Sequence, residues 1–372
     1  MMAIVATTGS SHPGLVEVAP PAEPGPGEVL CRTLELGVCG TDREILQSAA
    51  PWTPPGEERL ILGHECLARI EAIGSGVTNC QPGELVVPVV RRVVARDSVV
   101  GGSHNVAGNR RVDLLPFGPF TERGIYREHG FSQPLWIDRP KHLFRVPQHT
   151  ADLAVLTEPL AVSEKGANEA LLLQQARLGR DAWSAVDPPR VLVTGMGPIG
   201  FTAVLAAVAR GWPVTMLGRD EPTSFRATLA QRLGARYQAI EQTDFEPADI
   251  EQGGFDLCLE CTGSDEVMLQ AARLVRSCGA IVWLGSSRQP RPRAHNVERL
   301  MRDGLMRNHL HLGCVNAAPR DFADALAHLA QLKPAHGAEL SALITARVAP
   351  ADALWHYEHR QPQGIKTVVM VA

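Results

Sequence analysis

Two patterns of apolar and polar residues follow one another along the chain. Up to about Val146, short apolar stretches are separated by Pro and Gly, as in the segments PPAEPGPGEVLCRTLELGVCG, LARIEAIG and PGELVVPVV. Within this region Val29–Leu36 alternates apolar and polar residues, which is typical of an antiparallel strand with one buried face. We therefore expect the first region to form a domain dominated by β-strands.

The pattern changes at Asp152, where a stretch rich in Leu, Ala and Glu predicts a helix that runs to Leu178. Beyond the linker-like segment DAWSAVDPPR, short apolar runs alternate with helix-like segments as far as about Val315. The strand candidates are VLVTG, VTML, FDLCLE, AIVWLG and HLHLGCV. Strands that alternate with helices predict a doubly wound parallel sheet, after a domain boundary near Asp187.

The last segment begins with a helical pattern over 318–331 and ends in the strand-like sequence KTVVMVA. We expect this segment to return to the first domain. The predicted organisation is α/β, with a β-rich domain formed by residues 1–187 and completed by 316–372. The parallel-sheet domain is expected over residues 188–315.

Composition narrows the class of protein. A chain of 372 residues with 45% hydrophobic content is long enough for two globular domains. Its net charge of -4 gives no reason to expect nucleic acid or a membrane as a partner. The start of the chain does not read as a signal peptide, and no run approaches the roughly 18 apolar residues of a membrane span. We therefore expect a cytoplasmic protein, with reduced cysteines.

The segment RVLVTGMGPIG, residues 190–200, combines a buried-strand pattern with glycines in the spacing G-x-G-x-x-G. The first glycine permits a tight turn, the second lets a pyrophosphate approach, and the third lets the next helix pack on the strand. A purely structural turn is the alternative, but the helix and strand candidates that follow favour a dinucleotide site of the Rossmann type. The residues predicted to bind the dinucleotide are Gly195, Gly197, Pro198, Ile199 and Gly200.

The end of the second strand candidate bears on which nicotinamide is bound. An NAD enzyme normally carries Asp or Glu there to accept a hydrogen bond from the ribose. This chain reads Leu217-Gly218-Arg219-Asp220 instead. Arg219 suits the 2′-phosphate of NADP, whereas the Asp220 carboxylate would oppose it. The sequence therefore favours NADP over NAD, and NAD stays an alternative.

Two short motifs in the first region carry potential metal ligands. Cys39 lies in GVCGTDRE, and His64 and Glu65 lie in GHEC. A thiolate, an imidazole and a carboxylate suit Zn²⁺, and Glu158 in TEPLAV is a distant candidate for the same site. The alternatives to a metal site are that Cys39 only packs within a glycine-rich loop and that His64 and Glu65 form a surface pair.

Motifs along nearly the whole chain resemble those of zinc-dependent medium-chain dehydrogenases, and among them the microbial glucose dehydrogenases. The motifs are CGTDRE (39–44), ILGHE (61–65), VVRR (89–92), ERGI (122–125), HGF (129–131), EPLA (158–161), GMGPIG (195–200) and GCVN (313–316). The resemblance implies a GroES-like β-rich catalytic domain beside a Rossmann domain. It also implies one catalytic zinc, held by Cys39 and His64, with Glu65 and Glu158 as acidic ligands that alternate.

The resemblance assigns further roles. Thr41 matches the hydroxyl that passes a proton from the bound alcohol towards solvent, and Asp42 matches the carboxylate that orients the histidine ligand. Glu122 and Asn316 match substrate-contacting positions, and Asn316 is also expected beside the cofactor. Lys366 matches a basic position near the cofactor and the zinc, although a surface lysine is the alternative. Zinc would lower the pKa of the alcohol, whose hydride then passes to the nicotinamide.

Two departures from the family pattern change the expectation. The segment 93–113 contains no cysteine, whereas relatives hold a structural zinc with four cysteines there, so that zinc is expected to be absent. Val90 and Val162 replace an Asn and an Asp that help hold sugar hydroxyls in relatives. Because these replacements remove hydrogen-bonding partners, we expect weakened binding of free glucose. A substituted or partly deoxygenated sugar, or another secondary alcohol, is favoured.

The predicted function is a zinc-dependent oxidoreductase that transfers hydride between a sugar-like or polyol secondary alcohol and NAD(P), in the cleft between the domains. Two alternatives are a zinc-free NADPH-dependent reductase of activated double bonds and a non-catalytic NADP-binding protein. The presence of Cys39, His64 and Glu158 favours the zinc enzyme over the reductase. Because relatives commonly associate as dimers or tetramers, we expect a homo-oligomer.

Overall fold

A computed structural model describes residues 1–93, 111–115, 120–246, 249–285 and 296–371. The described chain forms two compact units. Unit 1 contains residues 1–158, 318–330 and 344–372, and unit 2 contains residues 159–317 and 331–343. Most of the cysteine-free segment 93–113 lies outside the described residues. None of the described helices has the length and hydrophobicity needed to cross a membrane.

The elements are labelled in chain order. The strands are β1 (Met2–Thr7), β2 (Gly14–Glu17), β3 (Val29–Val38), β4 (Arg59–Ile61), β5 (Glu65–Ile73), β6 (Leu85–Pro88), β7 (Arg91–Val93), β8 (Phe120–Arg123), β9 (Arg127–Glu128), β10 (Leu135–Asp138), β11 (Leu143–Arg145), β12 (Val191–Thr194), β13 (Val214–Gly218), β14 (Arg236–Ala239), β15 (Phe255–Glu260), β16 (Val275–Trp283), β17 (Leu310–Gly313), β18 (Ile344–Val348) and β19 (Lys366–Met370). The helices are α1 (Gly40–Ser48), α2 (Thr157–Leu178), α3 (Pro198–Ala209), α4 (Phe225–Arg232), α5 (Ile250–Gly253), α6 (Asp265–Arg273), α7 (Val297–Arg307), α8 (Pro319–Ala342) and α9 (Pro350–Glu358).

Unit 1 is built around β3, the strand predicted from alternation in Val29–Leu36. Its main sheet has the order β11-β6-β5-β3-β19-β18, and β10 also pairs with β3. Strand β3 contributes fully buried side chains such as Leu36 and Cys31 to the core. The C-terminal strand β19 pairs antiparallel with β3, as expected for a tail that returns to this domain. Two smaller sheets have the orders β2-β1-β4 and β7-β8-β9.

Unit 2 is the predicted parallel sheet with its helices. The strand order is β14-β13-β12-β15-β16-β17, and every neighbouring pair is parallel. Its central strand β12 is buried at all four residues, which is why it reads as a continuous apolar run. The Rossmann fold is therefore confirmed. Sequence reasoning missed β14, whose residues RYQA carry no apolar run.

The first part of α2 shows where the units divide. The chain passes from unit 1 to unit 2 between Glu158 and Pro159, so residues 159–187, which the sequence assigned to the first domain, lie with the parallel sheet. A hydrogen bond and an ion pair hold this segment against unit 2. The Ser163 hydroxyl lies 2.9 Å from the Thr202 hydroxyl on α3, and the Glu164 carboxylate lies 2.6 Å from Arg210 Nη1.

Candidate active site

The first candidate ligand, Cys39, lies at the junction of β3 and α1. It occupies the position before the first helical residue, with an extended backbone. In the first turn of α1, the buried Asp42 accepts a hydrogen bond at 2.9 Å from the Cys39 backbone N–H through Oδ2. Its other oxygen, Oδ1, lies 3.5 Å from Nδ1 of His64. One carboxylate thus fixes the backbone of one candidate ligand and faces the ring of another.

The next two candidates are His64, which directly precedes β5, and Glu65, the first residue of that strand. Both side chains are buried. Because β5 pairs with β3, with Glu65 opposite Gly37, this short motif is brought beside Cys39. The thiol of Cys39, a ring nitrogen of His64 and a carboxylate oxygen of Glu65 lie within 4.8 Å of one another. The predicted trio therefore forms one cluster in unit 1.

Lys366 reaches the same cluster from β19. Its Nζ lies 2.7 Å from Oε1 of Glu65 and 3.3 Å from the carbonyl oxygen of Val38. Burial lowers the pKa of this lysine, but the charges of Glu65, Cys39 and Glu158 and the hydrogen bond to Glu65 together outweigh burial and raise the pKa above its usual value. The family pattern predicted a position near the candidate zinc ligands. The direct pairing with Glu65 was not predicted, because it depends on the register of β19 against β3.

Glu158, the distant candidate, lies outside this trio but is within electrostatic reach of it. Burial raises the pKa of Glu158 to about 7. The nearby His64 acts to lower this pKa, and the charge of Glu65 acts to raise it. The pKa of His64 is raised well above its ordinary value, because Asp42 and Cys39 together outweigh the effect of burial. Burial is the largest single influence on both groups, and nearby carboxylates act on each of them.

Thr41 and Glu122 complete the described candidates in unit 1. Thr41 is half-buried in the first turn of α1, next to Asp42 in sequence. Glu122 on β8 accepts a hydrogen bond at 3.0 Å from Nε of Arg91, its partner across the β7–β8 pair. The Arg91 guanidinium also stacks at 3.9 Å from the centre of the Phe120 ring. Glu122 is therefore held in place and contributes to the charge around Glu158.

The glycine-rich turn lies between β12 and α3 in unit 2. Gly195 has a φ of +89°, which only glycine adopts readily, and a Cβ on Gly200 would meet the Gly195 carbonyl oxygen at 2.0 Å. A Cβ on Gly197 would meet no atom within 4 Å. The turn therefore has open space at the N-terminus of α3, where a pyrophosphate would accept hydrogen bonds from backbone N–H groups. Pro198 begins the helix, and Ile199 follows it.

Two further predicted residues lie elsewhere in unit 2. Arg219 is exposed directly after β13. Asn316 follows β17 with a left-handed φ of 47°, and the preceding carbonyl, of Val315, accepts a hydrogen bond at 2.9 Å from Lys165. Lys165 was not singled out from the sequence, although it lies in the same motif region as EPLA. It anchors the backbone beside Asn316.

Comparisons with known proteins identify the class that this fold and site define. Residues 151–371 match the family model "Glucose dehydrogenase C-terminus", and residues 25–136 match the "Alcohol dehydrogenase GroES-like domain". The protein is a medium-chain dehydrogenase of the zinc type, an NAD(P)-dependent oxidoreductase. It belongs to the glucose dehydrogenase-like branch, as the sequence motifs predicted.

Individual relatives extend over nearly the whole chain. Glucose 1-dehydrogenase of Thermoproteus tenax is 35% identical over 353 residues, covering 95% of this chain and 94% of the relative. Glucose 1-dehydrogenase 1 of Caldivirga maquilingensis is 36% identical over 325 residues, which cover 87% of this chain and 86% of the relative. The structure of Haloferax mediterranei glucose dehydrogenase in complex with NADP, Zn and gluconolactone is similar at a TM-score of 0.83 and 26% identity. That match covers 100% of this chain and 99% of the other.

Proposed function

We propose that this protein is a zinc-dependent, NADP-preferring dehydrogenase of a sugar-like or polyol secondary alcohol, with plain glucose a poor substrate. The observation that carries the proposal is the cluster of Cys39, His64 and Glu65 donors within 4.8 Å. Residues from separate segments converge there in a chain of the glucose dehydrogenase-like branch.

The donor set suits zinc on chemical grounds. Thiolate, imidazole and carboxylate are the common ligands of Zn²⁺, and a catalytic site needs three protein ligands with one open position. Glu158 would serve as the acidic ligand that alternates with Glu65, which is paired with Lys366. When bound, zinc would supply Lewis acidity that lowers the pKa of a substrate hydroxyl. Since the segment 93–113 has no cysteine, we expect a single zinc per chain.

The other residues of unit 1 would orient ligands and substrate and move a proton. Asp42 holds the backbone of Cys39 and faces His64 Nδ1, which favours one orientation of the imidazole ring. The Thr41 hydroxyl would accept the proton of the substrate hydroxyl and pass it towards solvent. Glu122, fixed by Arg91, would accept a hydrogen bond from a second substrate hydroxyl. These roles suit a substrate with more than one hydroxyl group.

The preference for NADP rests on Arg219. This side chain is exposed at the end of β13, next to Gly218, and can form a bidentate ion pair with a 2′-phosphate. Arg219→Ala is therefore expected to raise the KM for NADP⁺ about tenfold or more and to leave the KM for NAD⁺ within about twofold.

The substrate preference rests on Val90 and Val162. A hydroxyl that loses its partner in an apolar setting costs about 1–3 kcal/mol, or roughly ten- to a hundredfold in binding. The test compares glucose, deoxygenated and O-methylated sugars, polyols and secondary alcohols with both nicotinamides. We expect kcat/KM for the best substrate to exceed that for glucose at least tenfold.

A matched pair of variants sharpens the substrate test. Val90→Asn and Val162→Asp would restore polar partners, so the double variant should gain activity on glucose relative to a deoxygenated sugar. Efficient glucose oxidation by the unaltered protein would contradict the preference. A complete lack of nicotinamide-linked turnover over the whole panel would contradict the proposed activity. Assembly into a dimer or tetramer remains a prediction, which light scattering can test.

A further inference from the structure

A bidentate ion pair lies directly after β13. Arg226, in the first turn of α4, places Nε 2.7 Å from Oδ2 of Asp220 and Nη2 2.6 Å from Oδ1. Both oxygens of the carboxylate are therefore engaged by one guanidinium. The Asp220 side chain is 8% exposed and that of Arg226 is 21% exposed, which limits screening by water. The carboxylate that was expected to oppose a 2′-phosphate thus already has a partner.

Further contacts fix the pair between the strand end and the glycine-rich turn. Nη1 of Arg226 lies 3.5 Å from the carbonyl oxygen of Met196, within GMGPIG. The Tyr237 hydroxyl on β14 donates a hydrogen bond to the backbone carbonyl of Asp220. Because the guanidinium is held from two sides, Arg226 has a defined place beside the region where the dinucleotide ribose is expected.

The adjacent Gly218 leaves no room for the acidic residue of an NAD enzyme. A Cβ there would meet Sδ of Met196 at 2.2 Å and the Tyr237 ring at 3.2 Å. A carboxylate at position 218 would require Met196 to move. Asp220 is then the acidic residue of the Gly218–Asp220 turn, and its charge is paired by Arg226.

We propose that Arg226 is a specificity-determining residue that neutralises Asp220 and thereby lets the turn accept the 2′-phosphate of NADP beside Arg219. This inference rests on the NADP preference in the proposed function. Arg226 acts through Asp220 and is a positioning residue.

The test measures equilibrium binding of NADP⁺ and NAD⁺ by isothermal titration calorimetry, independently of turnover. The variants are Arg226→Gln, Asp220→Asn and the double variant, with Arg232→Gln on the exposed end of α4 as the matched control. We expect Arg226→Gln to weaken NADP⁺ binding about tenfold or more and NAD⁺ binding less than about twofold. Asp220→Asn should bind NADP⁺ at least as tightly as the unaltered protein. The double variant should bind NADP⁺ with an affinity within about threefold of that of the unaltered protein.

Each contrary outcome has a distinct meaning. Equal losses for both nucleotides in Arg226→Gln, or a double variant as weak as Arg226→Gln alone, would overturn the neutralising role. If Arg226→Gln fails to fold, a tenfold loss of NADP⁺ binding in Asp220→Asn would overturn it as well. Arg219→Ala separates the two proposals. Unchanged NADP⁺ binding in Arg219→Ala contradicts the NADP preference itself. If Arg219→Ala binds NADP⁺ more weakly but Arg226→Gln does not, only the role of Arg226 is contradicted.

Discussion

Lys366 Nζ lies 2.7 Å from Oε1 of Glu65, and both side chains are about 1% exposed. The pair joins β19 to β5 across β3, so the last strand of the chain sets the charge balance around a candidate zinc ligand. The lysine compensates the buried charge of Glu65. The pair therefore contributes both to the stability of unit 1 and to the geometry of the site.

Replacement of Lys366 should show how much the pair stabilises the protein. Lys366→Met leaves Glu65 as an unpaired buried carboxylate, which typically costs about 3–5 kcal/mol. We expect a loss of that size in the free energy of unfolding of the metal-free protein, measured by urea denaturation. In the double variant with Glu65→Gln most of the loss should disappear. A loss below about 1 kcal/mol in the single variant would show that the pair is not stabilising.

A methyl group at Gly37 should displace Glu65. A Cβ there would lie 2.0 Å from Oε2 of Glu65, a distance that the carboxylate can relieve only by moving. We expect Gly37→Ala to lower zinc affinity about tenfold or more, and to destabilise the protein by about 1–3 kcal/mol. Gly337→Ala is a suitable control, because its nearest atom lies at 3.7 Å. Unchanged zinc affinity in Gly37→Ala would argue against Glu65 as a ligand.

Asp138, which lies outside the candidate metal cluster, leads to a prediction about stability in acid. Its Oδ2 lies 2.7 Å from Nη2 of the buried Arg92, and its Oδ1 lies 2.8 Å from Nδ1 of His142. Burial alone would raise the pKa of Asp138, but Arg92 and His142 together lower it well below the usual range. The unfolded chain therefore binds a proton first as the pH falls, and the stabilisation present above about pH 4 is lost below it.

The variant Asp138→Asn should remove this contribution. At pH 7 we expect a loss of about 3–5 kcal/mol in the free energy of unfolding, because Arg92 loses its buried partner. The difference in free energy of unfolding between the variant and the unaltered protein should shrink as the pH falls below about 4. Denaturant unfolding at pH 7 and at pH 3 measures both values. A difference that stays constant with pH would contradict the lowered pKa.

Much of the fold and part of the site could be predicted from the sequence, for physical reasons. The parallel sheet could be predicted because its central strands are buried on both faces and form continuous apolar runs in the sequence, as in β12. Cys39, His64 and Glu65 could be singled out because their side-chain types are zinc ligands in short motifs. Their convergence in space follows from the pairing of β3 with β5.

Other features depend on tertiary contacts that no local pattern encodes. The strand β14 has a polar sequence and lies at an edge of its sheet, so its apolar pattern was absent. The pairing of Arg226 with Asp220 depends on how residues 219–224 connect β13 to α4, although a basic residue shortly after GRD was a usable signal. The division at Glu158 depends on hydrogen bonds between α2 and α3, whereas the sequence showed only a long helix.

Zinc content measured together with turnover tests the central claim most directly. The protein is purified without added metal, its zinc is determined by mass spectrometry, and kcat is measured before chelation, after chelation and after zinc is restored. We expect about one zinc per chain, loss of turnover on chelation and recovery with zinc, while Cys39→Ser retains neither the zinc nor the activity. Full activity in thoroughly chelated protein, or a normal zinc content in Cys39→Ser, would contradict the proposed site.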